Sequence, residues 1–442
     1  MFELYLTEQN PHWEKNESCP GLRREVLDKV VKYLDIKQII ALVGIRRCGK
    51  SVLAKHIIEY LINKKGTNPK NILFLNLESP ALYQHKDTPE TLQTIYNEYL
   101  KRHQPQGKVF LVLDEVQFIN GWQVFVKSLY ERTDTKFIIT GSNSKLLSSE
   151  FSTILSGRSI EIRVYPFSLS EMLAANNVAI NSTDAVYSNI HQIKRITDEY
   201  LQYGGFPEVV LEDDLQIKKS ILTNYYQSIL YQDIISRAEV RKTVEIENLL
   251  LFLFSNIAKN FSYKSLARIM DEQLADTKIS DKAVKNHISI LEKSFLLFEL
   301  HNYLYSIGKQ LRSPKKIFSI DNGFTNIVSF AFSENLGRIL ENTVFISLRQ
   351  AGKQLYYHKQ NHECDFVVQE KNRIVEAIQV SKQLDHTNKK RELSGLLEAL
   401  NQFDLKQGMI VTLDQEETST IDGKQVSLVP LWKWLLREQL NY

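Results

Sequence analysis

The sequence is poor in cysteine, in net charge and in long apolar runs, and each shortage excludes a class of protein. Its 442 residues include three cysteines, Cys19, Cys48 and Cys364, which lie too far apart for a disulfide framework or a thiolate metal site. No apolar run approaches the ~20 residues of a membrane-spanning helix. The 55 basic and 52 acidic residues leave a formal charge of +3, so any nucleic-acid-binding surface must be local.

The overall composition is that of a globular protein. A hydrophobic content of 43% with 24% charged residues is typical of that class, and the length predicts about three domains. Residues 1–12 have no basic and apolar signal regions. With reduced cysteines, this favours a cytoplasmic protein.

Residues 44–51, GIRRCGKS, fit the GxxxxGK(S/T) phosphate-loop pattern in a suitable context. The apolar residues 39–43 before them predict a buried strand. Leu53, Ile57 and Leu61 recur at helical spacing and predict the helix that follows. The segment therefore predicts a site for a nucleoside triphosphate.

Each residue type in this loop has a chemical reason to be there. Gly44 and Gly49 let backbone N–H groups approach phosphate oxygens, Lys50 supplies a positive charge for the β- and γ-phosphates, and Ser51 offers a hydroxyl to Mg²⁺. Cys48 needs only to be small, although a redox role is an open alternative. The predicted nucleotide-binding residues of this segment are Gly44, Ile45, Arg46, Arg47, Cys48, Gly49, Lys50, Ser51 and Val52.

Residues 109–115, VFLVLDE, predict a buried parallel strand that ends in two acids. We expect Asp114 to hold Mg²⁺, directly or through water, and Glu115 to orient and polarise the attacking water. Glu115 favours hydrolysis over simple nucleotide storage.

Two further positions are candidates for sensing or stabilising the phosphate charge. Ser142 or Asn143, after the strand predicted at residues 136–140, is a candidate for sensing the γ-phosphate; a helix-capping role is the alternative. Arg158, at the end of LSGR, is a candidate charge-stabilising arginine in the same chain or a neighbouring one. A structural or surface arginine is the alternative.

These segments, together with TGSNSKLLSSE, YPFSLSEML and YGGFPEVVL, occur in the order found in a group of prokaryotic AAA+ ATPases, which the chain resembles over nearly its whole length. That group is related to STAND-type NTPases and has a C-terminal domain of unknown function. The resemblance implies a helical lid after the core, with a Gly-x-Pro turn packed on the adenine. Here Gly205 and Pro207 would make that contact; without the resemblance, GGFP is a turn between two helices.

Residues 245–320 have the pattern of a winged helix. In the helix predicted from Asp281, the apolar side chains of Val284, Ile288 and Leu291 share one face, as a groove-reading helix requires. The polar face comprises Lys282, Lys285, Asn286 and Ser289, and Arg312, Lys315 and Lys316 are expected near phosphate height. DNA contact and a protein-binding platform are both open interpretations.

Residues 321–442 resemble the PD-(D/E)xK nuclease fold in the order of their acids. Glu341 on a helix and Asp365 on a strand fit, and such carboxylates hold Mg²⁺ for phosphodiester attack. Glu376 is the candidate for the third metal ligand, although the third motif does not fit, because strand side chains alternate faces: neither Glu376 nor Gln379 has its partner two residues away. An active nuclease and a degenerate fold that binds DNA or a partner both remain.

The sequence thus predicts an α/β protein with a P-loop AAA+-type parallel-sheet core. Four parts are expected: a leader and ATPase core (1–177), a helical lid (178–244), a winged helix (245–320) and a nuclease-like domain (321–442). The predicted function is ATP hydrolysis with Mg²⁺, coupled to a C-terminal half that binds DNA or a partner. The alternatives are an ATP-gated metal-dependent nuclease and a regulatory switch with a protein partner. Expected partners are ATP, double-stranded DNA and further copies of the chain, but no membrane.

Overall fold

The computed structural model describes residues 2–14, 19, 21–88, 90–142, 157–235, 243–273, 279–329 and 336–437. The chain divides into two compact units, residues 1–165 and residues 166–442. The predicted boundaries at residues 177, 244 and 320 stay predictions. Within the described ranges, no helix combines the length and the apolarity that a bilayer crossing requires.

The first unit alternates strands and helices around one parallel sheet. Its elements are α1 (Glu3–Gln9), α2 (Val26–Val31), β1 (Ile39–Val43), α3 (Lys50–Asn63), β2 (Ile72–Asn76), α4 (Glu90–His103), β3 (Val109–Asp114), α5 (Trp122–Arg132), β4 (Thr135–Gly141) and β5 (Ser159–Arg163). The sheet order is β2-β3-β4-β1-β5, and every pairing is parallel. The predicted parallel-sheet core is confirmed.

The strand register gathers the candidate residues at one edge of this sheet. Asn76 pairs with Asp114, and Val43 pairs with Gly141. Strands β1, β3 and β4 therefore end side by side, because parallel strands all point the same way. The phosphate loop, the two acids and Ser142 follow these ends directly, at the edge where α/β sheets bind ligands.

The second unit is longer and contains two further sheets. Its elements are α6 (Leu169–Ala175), α7 (Thr183–Ser188), α8 (Ile190–Tyr203), α9 (Pro207–Val210), α10 (Leu215–Ser228), a π-helix (Ile229–Ile235), α11 (Thr243–Ser255), β6 (Asn260–Phe261), α12 (Tyr263–Gln273), α13 (Asp281–Lys293), β7 (Leu297–His301), α14 (Ile307–Arg312), β8 (Lys315–Ser319), α15 (Asn322–Val328), α16 (Leu336–Gln350), β9 (Gln354–Lys359), β10 (Glu363–Glu370), β11 (Arg373–Val380), α17 (Lys389–Gln402), β12 (Gln407–Thr412), β13 (Glu417–Ile421), β14 (Lys424–Pro430) and α18 (Leu431–Leu435).

A small antiparallel sheet, in the order β6-β8-β7, lies among α11, α12 and α13. Helix α13 has the predicted faces: its three apolar side chains are buried, and Lys282, Lys285 and Asn286 are exposed. The expectation for Lys315 and Lys316 is wrong, because both lysines are buried in β8 rather than displayed at a surface.

The six-stranded sheet has the order β13-β14-β12-β11-β10-β9. Strands β9, β10 and β11 pair antiparallel, whereas β11, β12 and β14 pair parallel. Helix α17 buries Leu396, Ala399 and Leu400 against this sheet. Asp365 lies on a strand, β10, as predicted, and the pairing of β10 with β11 brings it beside Gln379.

Candidate functional site: the phosphate loop and a carboxylate cavity

The phosphate loop turns so tightly that two of its positions require glycine. A Cβ atom on Gly44 would lie 2.1 Å from the carbonyl oxygen of Val164, which no neighbouring shift can relieve cheaply. Gly49, the residue before α3, has φ of 97°. The loop backbone therefore keeps the compact form that an anion-binding turn at a helix N-terminus needs.

Lys50 lies across this loop. Its Nζ donates to the carbonyl oxygens of Gly44 and Ile45 at 3.1 Å each, and it is 3.5 Å from Glu115 Oε1. Burial alone would lower the pKa of Lys50, but the charge of Glu115 and other nearby groups outweighs it and raises that pKa. Lys50 is thus a fixed positive charge within the loop.

Asp114 is the strand-end acid and is almost fully buried. Its Oδ1 accepts a hydrogen bond from Thr140 Oγ1 at 2.6 Å. Burial raises the pKa of Asp114, although hydrogen bonds from Thr140 and Ser51 act in the opposite direction. A hydroxyl beside a carboxylate is the oxygen donor set that Mg²⁺ prefers, so Ser51 and Asp114 fit the predicted ion.

Glu115 is held by several donors in a left-handed backbone conformation, with φ of 55°. Its Oε2 accepts from Gln117 Nε2 and, at 3.2 Å, from the backbone N–H of Ser142. Burial opposes ionisation, but Lys50 first and then Gln117 outweigh it, so the pKa of Glu115 is lowered. The side chain is therefore an ionised, positioned hydrogen-bond acceptor.

The remaining loop residues divide by exposure. Ile45 and Cys48 are buried, Arg47 and Val52 are exposed, and Arg46 pairs with Glu78 at 3.3 Å. Burial raises the pKa of the Cys48 thiol, which suits a packing role better than redox chemistry.

Arg158 cannot reach the phosphate loop of its own chain. The register pairs Ile39 with Ser159 and Val43 with Arg163, so Arg158 precedes β5 at the opposite edge of the sheet. There it pairs with Glu131 at 3.1 Å. Action within the same chain is therefore wrong, because the length of a strand separates the two places; action on a neighbouring chain stays a prediction.

Two other predicted nucleotide contacts lie outside the phosphate loop. Ser142 is buried at the end of β4 and accepts from Gln117 Nε2 at 3.2 Å, while its alternative, Asn143, lies outside the described residues. In the second unit, Gly205 N donates to Asp321 Oδ2 at 2.7 Å. This bond gives the turn through Pro207 a structural role, and contact with adenine stays a prediction.

A cavity of about 620 Å³ lies beside the six-stranded sheet. Its wall includes Glu341 and Asp365, so these two predicted acids do come together. Between them lies the ammonium of Lys316, which the prediction had placed at a DNA surface. Lys316 Nζ is 2.7 Å from Glu341, 2.8 Å from Glu363 and 2.9 Å from Asp365.

Glu376 is not part of this cavity, so its prediction as a third metal ligand is wrong. It lies 3.6 Å from Lys353 instead, while Gln379 points into the cavity and accepts a hydrogen bond from Asp365 N at 3.2 Å. Ser381, the residue that follows β11, is also in the cavity wall. Among the described residues, no group of three or more His, Cys, Asp or Glu is arranged as a metal site.

Comparison with known proteins places these sites in a family. Three protein-family models match successive parts of the chain: an AAA domain over residues 36–173, a domain of unknown function (DUF8612) over residues 194–335, and a second (DUF4143) over residues 336–434. An uncharacterized protein of Haemophilus influenzae is 32% identical over 93% of this chain and 98% of its own length. One from Methanocaldococcus jannaschii is 34% identical over 90% and 88%. The chain belongs to this AAA-domain family.

Solved structures give weaker likenesses. A Walker-type ATPase of Pyrococcus abyssi has a TM-score of 0.43 and 15% identity over 71% of this chain and 99% of its own. The ORC2 protein of Aeropyrum pernix has a TM-score of 0.39 and 10% identity over 76% and 98%. Both scores are too low to carry an argument, so the fold of the AAA domain rests on its own strand order.

The first unit also contains supporting residues that sequence patterns missed. Arg24, buried ahead of α2, donates from Nη1 to the carbonyl oxygen of Cys48 and from Nη2 to that of Tyr165, each at 2.8 Å. Thr140 connects Asp114 to the backbone N–H of Glu115. Neither residue belongs to a short motif; only the polar end of the apolar strand β4 was a signal for Thr140.

Proposed function

We propose that the AAA domain binds ATP with Mg²⁺ and hydrolyses it. The observation that best supports this is the meeting of the phosphate loop with the strand-end acids. Lys50 lies 3.5 Å from Glu115, and the Ser51 hydroxyl acts on the Asp114 carboxyl in the direction that lowers its pKa. The phosphate groups, the cation and the attacking water would therefore all be bound at one edge of one sheet.

Each group has a separate part in the reaction. The loop N–H groups and Lys50 bind the β- and γ-phosphates, and Ser51 and Asp114 hold the metal ion. When bound, Mg²⁺ neutralises charge that develops on the phosphate oxygens. Glu115, kept ionised by Lys50 and positioned by Gln117, accepts a hydrogen bond from the attacking water and orients it.

The test compares Glu115→Gln with the wild type for ATP binding and phosphate release. We expect turnover to fall by about 100-fold or more while affinity for a fluorescent ATP analogue stays within about threefold, because glutamine keeps the shape but loses the charge. Glu90→Gln, an exposed change on α4, is the matched control. Equal phosphate release from Glu115→Gln and the wild type would remove Glu115 from this role.

Nucleotide turnover is further proposed to control a DNA-binding surface in the second unit. The order helix, strand, two helices and two strands from α11 to β8 supports a winged helix, with β8 central in the sheet and the short helix α14 between the last two strands. The exposed Lys282, Lys285 and Asn286 of α13 have the chemistry for phosphate and base contacts. A protein-binding platform is the competing use of this surface.

Polarisation binding to duplex DNA at two salt concentrations tests this second proposal. The double variant Lys282→Gln, Lys285→Gln should bind more weakly and with a smaller salt dependence. With fewer phosphate contacts, binding releases fewer counterions from the DNA. Lys371→Gln, exposed in the turn between β10 and β11, is the control. No salt-dependent binding by the wild type, with ATP or ADP, would favour a protein partner.

Metal-dependent nuclease activity is not what the second unit supports best. The third acid of the predicted motif, Glu376, lies outside the cavity, and Gln379 and Ser381 stand in it instead. Plasmid nicking in Mg²⁺ or Mn²⁺ that Asp365→Ala abolishes would overturn this view.

A further inference from the structure

Lys316 brings a positive charge into the carboxylate cavity from a different sheet. It lies in β8, the central strand of the small sheet, where its backbone pairs with Asn260 and Leu300. Its side chain is 2% exposed. The ammonium also lies 5.7 Å from the ring centre of Tyr357, whose hydroxyl donates to the Pro314 carbonyl at 2.6 Å. The lysine is thus held by the packing of one sheet against the other.

The ammonium of Lys316 is surrounded by carboxylates. It donates hydrogen bonds to Glu341 at 2.7 Å and to Asp365 at 2.9 Å, and it forms an ion pair with Glu363 at 2.8 Å. The arrangement has the form of a cation with three oxygen ligands.

The carboxyl groups around Lys316 stabilise its charged form. Burial opposes the charge on Lys316, but the three acids outweigh it and raise its pKa well above the usual value. Burial would raise the pKa of Glu363, but the charge of Lys316 outweighs this effect and lowers the pKa of Glu363 to about 2. Burial, with the charge of Asp365, raises the pKa of Glu341 to about 8. At neutral pH Lys316 therefore does not act as a base.

The second oxygen of Asp365 is also engaged. Oδ2 accepts from the backbone N–H of Val380 at 3.0 Å. On the other side, Gln379 Nε2 donates to Glu392 Oε2 at 2.6 Å, and Arg391 pairs with the same carboxylate. Each of these acids is thus held by donors of the chain itself.

We propose that the ammonium of Lys316 takes the place of a divalent cation among Glu341, Glu363 and Asp365, so that this cavity works without a metal. A divalent ion would have to approach the same oxygens to about 2.0–2.6 Å. It would then compete for the position of a buried positive charge that cannot leave without unpacking β8. A ligand of the cavity is accordingly bound there and not cleaved by metal-activated water.

Mn²⁺ binding to the full-length chain tests the proposal, because this ion is a common substitute for Mg²⁺ and is followed by electron paramagnetic resonance. The wild type should show no Mn²⁺ binding that Asp365→Asn removes. Lys316→Met, which keeps the length of the side chain without its charge, should gain a site at least about tenfold tighter than any Asp365-dependent binding in the wild type. Adding Asp365→Asn to Lys316→Met should abolish that site.

Lys315→Met is the matched control. Lys315 is the adjoining buried lysine of β8, but its Nζ donates to the carbonyl oxygens of Leu311 and Ser313 at 3.0 Å each instead of to carboxylates. Its removal should create no Mn²⁺ site. The Asp365→Asn comparison also separates this cavity from the phosphate loop, so failure of the ATP proposal would leave this test intact.

The proposal can still be tested if the Lys316→Met variant does not fold. If Lys316→Met unfolds, refolding with and without Mn²⁺ should recover it only with the ion, because the ion restores the missing positive charge. Recovery in neither condition, or a folded variant without a new site, contradicts the proposal. Asp365-dependent Mn²⁺ binding by the wild type overturns it directly.

Discussion

Replacing Thr140 by valine removes a side chain that joins the two strand-end acids, Asp114 and Glu115. Thr140 Oγ1 accepts from the backbone N–H of Glu115 at 2.9 Å and donates to Asp114 Oδ1 at 2.6 Å. The side chain is fully buried, so water cannot replace either bond. Valine has almost the same shape, so the change isolates the two hydrogen bonds from packing.

The expected loss of stability follows from the two hydrogen bonds that valine cannot make. A hydrogen bond to a carboxyl group contributes about 1.5–3 kcal/mol, and a buried N–H without a partner costs about 1–3 kcal/mol. We expect Thr140→Val to lower the free energy of unfolding by about 3 kcal/mol in total. Because Glu115 has φ of 55°, losing this anchor should also displace its carboxylate and lower kcat by about tenfold or more.

Urea denaturation followed by circular dichroism measures stability, and phosphate release well below the melting temperature measures turnover. Thr135→Val is the matched control at the other end of β4, where the buried hydroxyl accepts from Thr133 Oγ1 at 2.8 Å. It should cost about 1 kcal/mol and leave kcat unchanged. Wild-type turnover by a folded Thr140→Val protein would refute the positioning role of Thr140.

Three more predictions concern buried groups elsewhere. Arg24→Met should weaken ATP binding by about tenfold or more, measured with a fluorescent analogue, because the phosphate loop loses a buried anchor. Burial, together with the charge of Glu292, raises the pKa of Glu299 from its usual 4.5 to about 7. The protonated carboxyl therefore contributes stability that is fully present below pH 4.5 and is lost as the pH rises through 7. At about 1.4 kcal/mol per pH unit this is at most about 3 kcal/mol, and Glu299→Gln should flatten that part of a pH series of melting curves. Gly204→Ala should destabilise the second unit severely, seen as a lower melting temperature, since its Cβ would lie 1.7 Å from Asp321 Oδ1.

Each of these three substitutions has a matched control substitution elsewhere in the chain. Arg23→Met alters an exposed arginine next to Arg24 and should leave ATP affinity unchanged; equal losses in both would remove the anchoring role. Glu417→Gln changes an exposed carboxylate, and an identical pH profile for it and Glu299→Gln would contradict the burial effect. Gly423→Ala, at nearly the same φ of 73° as Gly204 but with no atom nearby, should cost about 1 kcal/mol. A similar cost at Gly204 would show that Asp321 moves freely.

The phosphate loop and the strand-end acids were predictable because each depends on neighbours in sequence. A buried strand, a glycine-containing turn and a helix start follow one another within residues 39–63, and the strand at 109–114 ends in its two acids. Parallel strands then bring both segments to one edge. The faces of α13 were predictable for the same reason, since helical spacing alone separates its apolar from its polar side chains.

The places of Arg158, Glu376 and Lys316 were not predictable in this way. Arg158 is close to a phosphate-binding segment only if β5 runs in the other direction, and its direction follows from pairing with β1. Gln379 lies opposite Asp365 because Phe366 pairs with Ile378, and Glu376, three residues before Gln379, has its side chain on the other face of β11. Register and pairing are long-range properties, and a shift of one residue moves a side chain to the other face.

The sequence by itself determined which segments can bind phosphate and which strands and helices form, because backbone propensity and apolar spacing act over a few residues. Tertiary structure alone decided which charges meet. Lys316 and Glu341 are 25 residues apart, and Lys316 and Asp365 are 49 apart. Their contact exists because two sheets pack together, and a buried ammonium without those carboxylates would be too costly to desolvate.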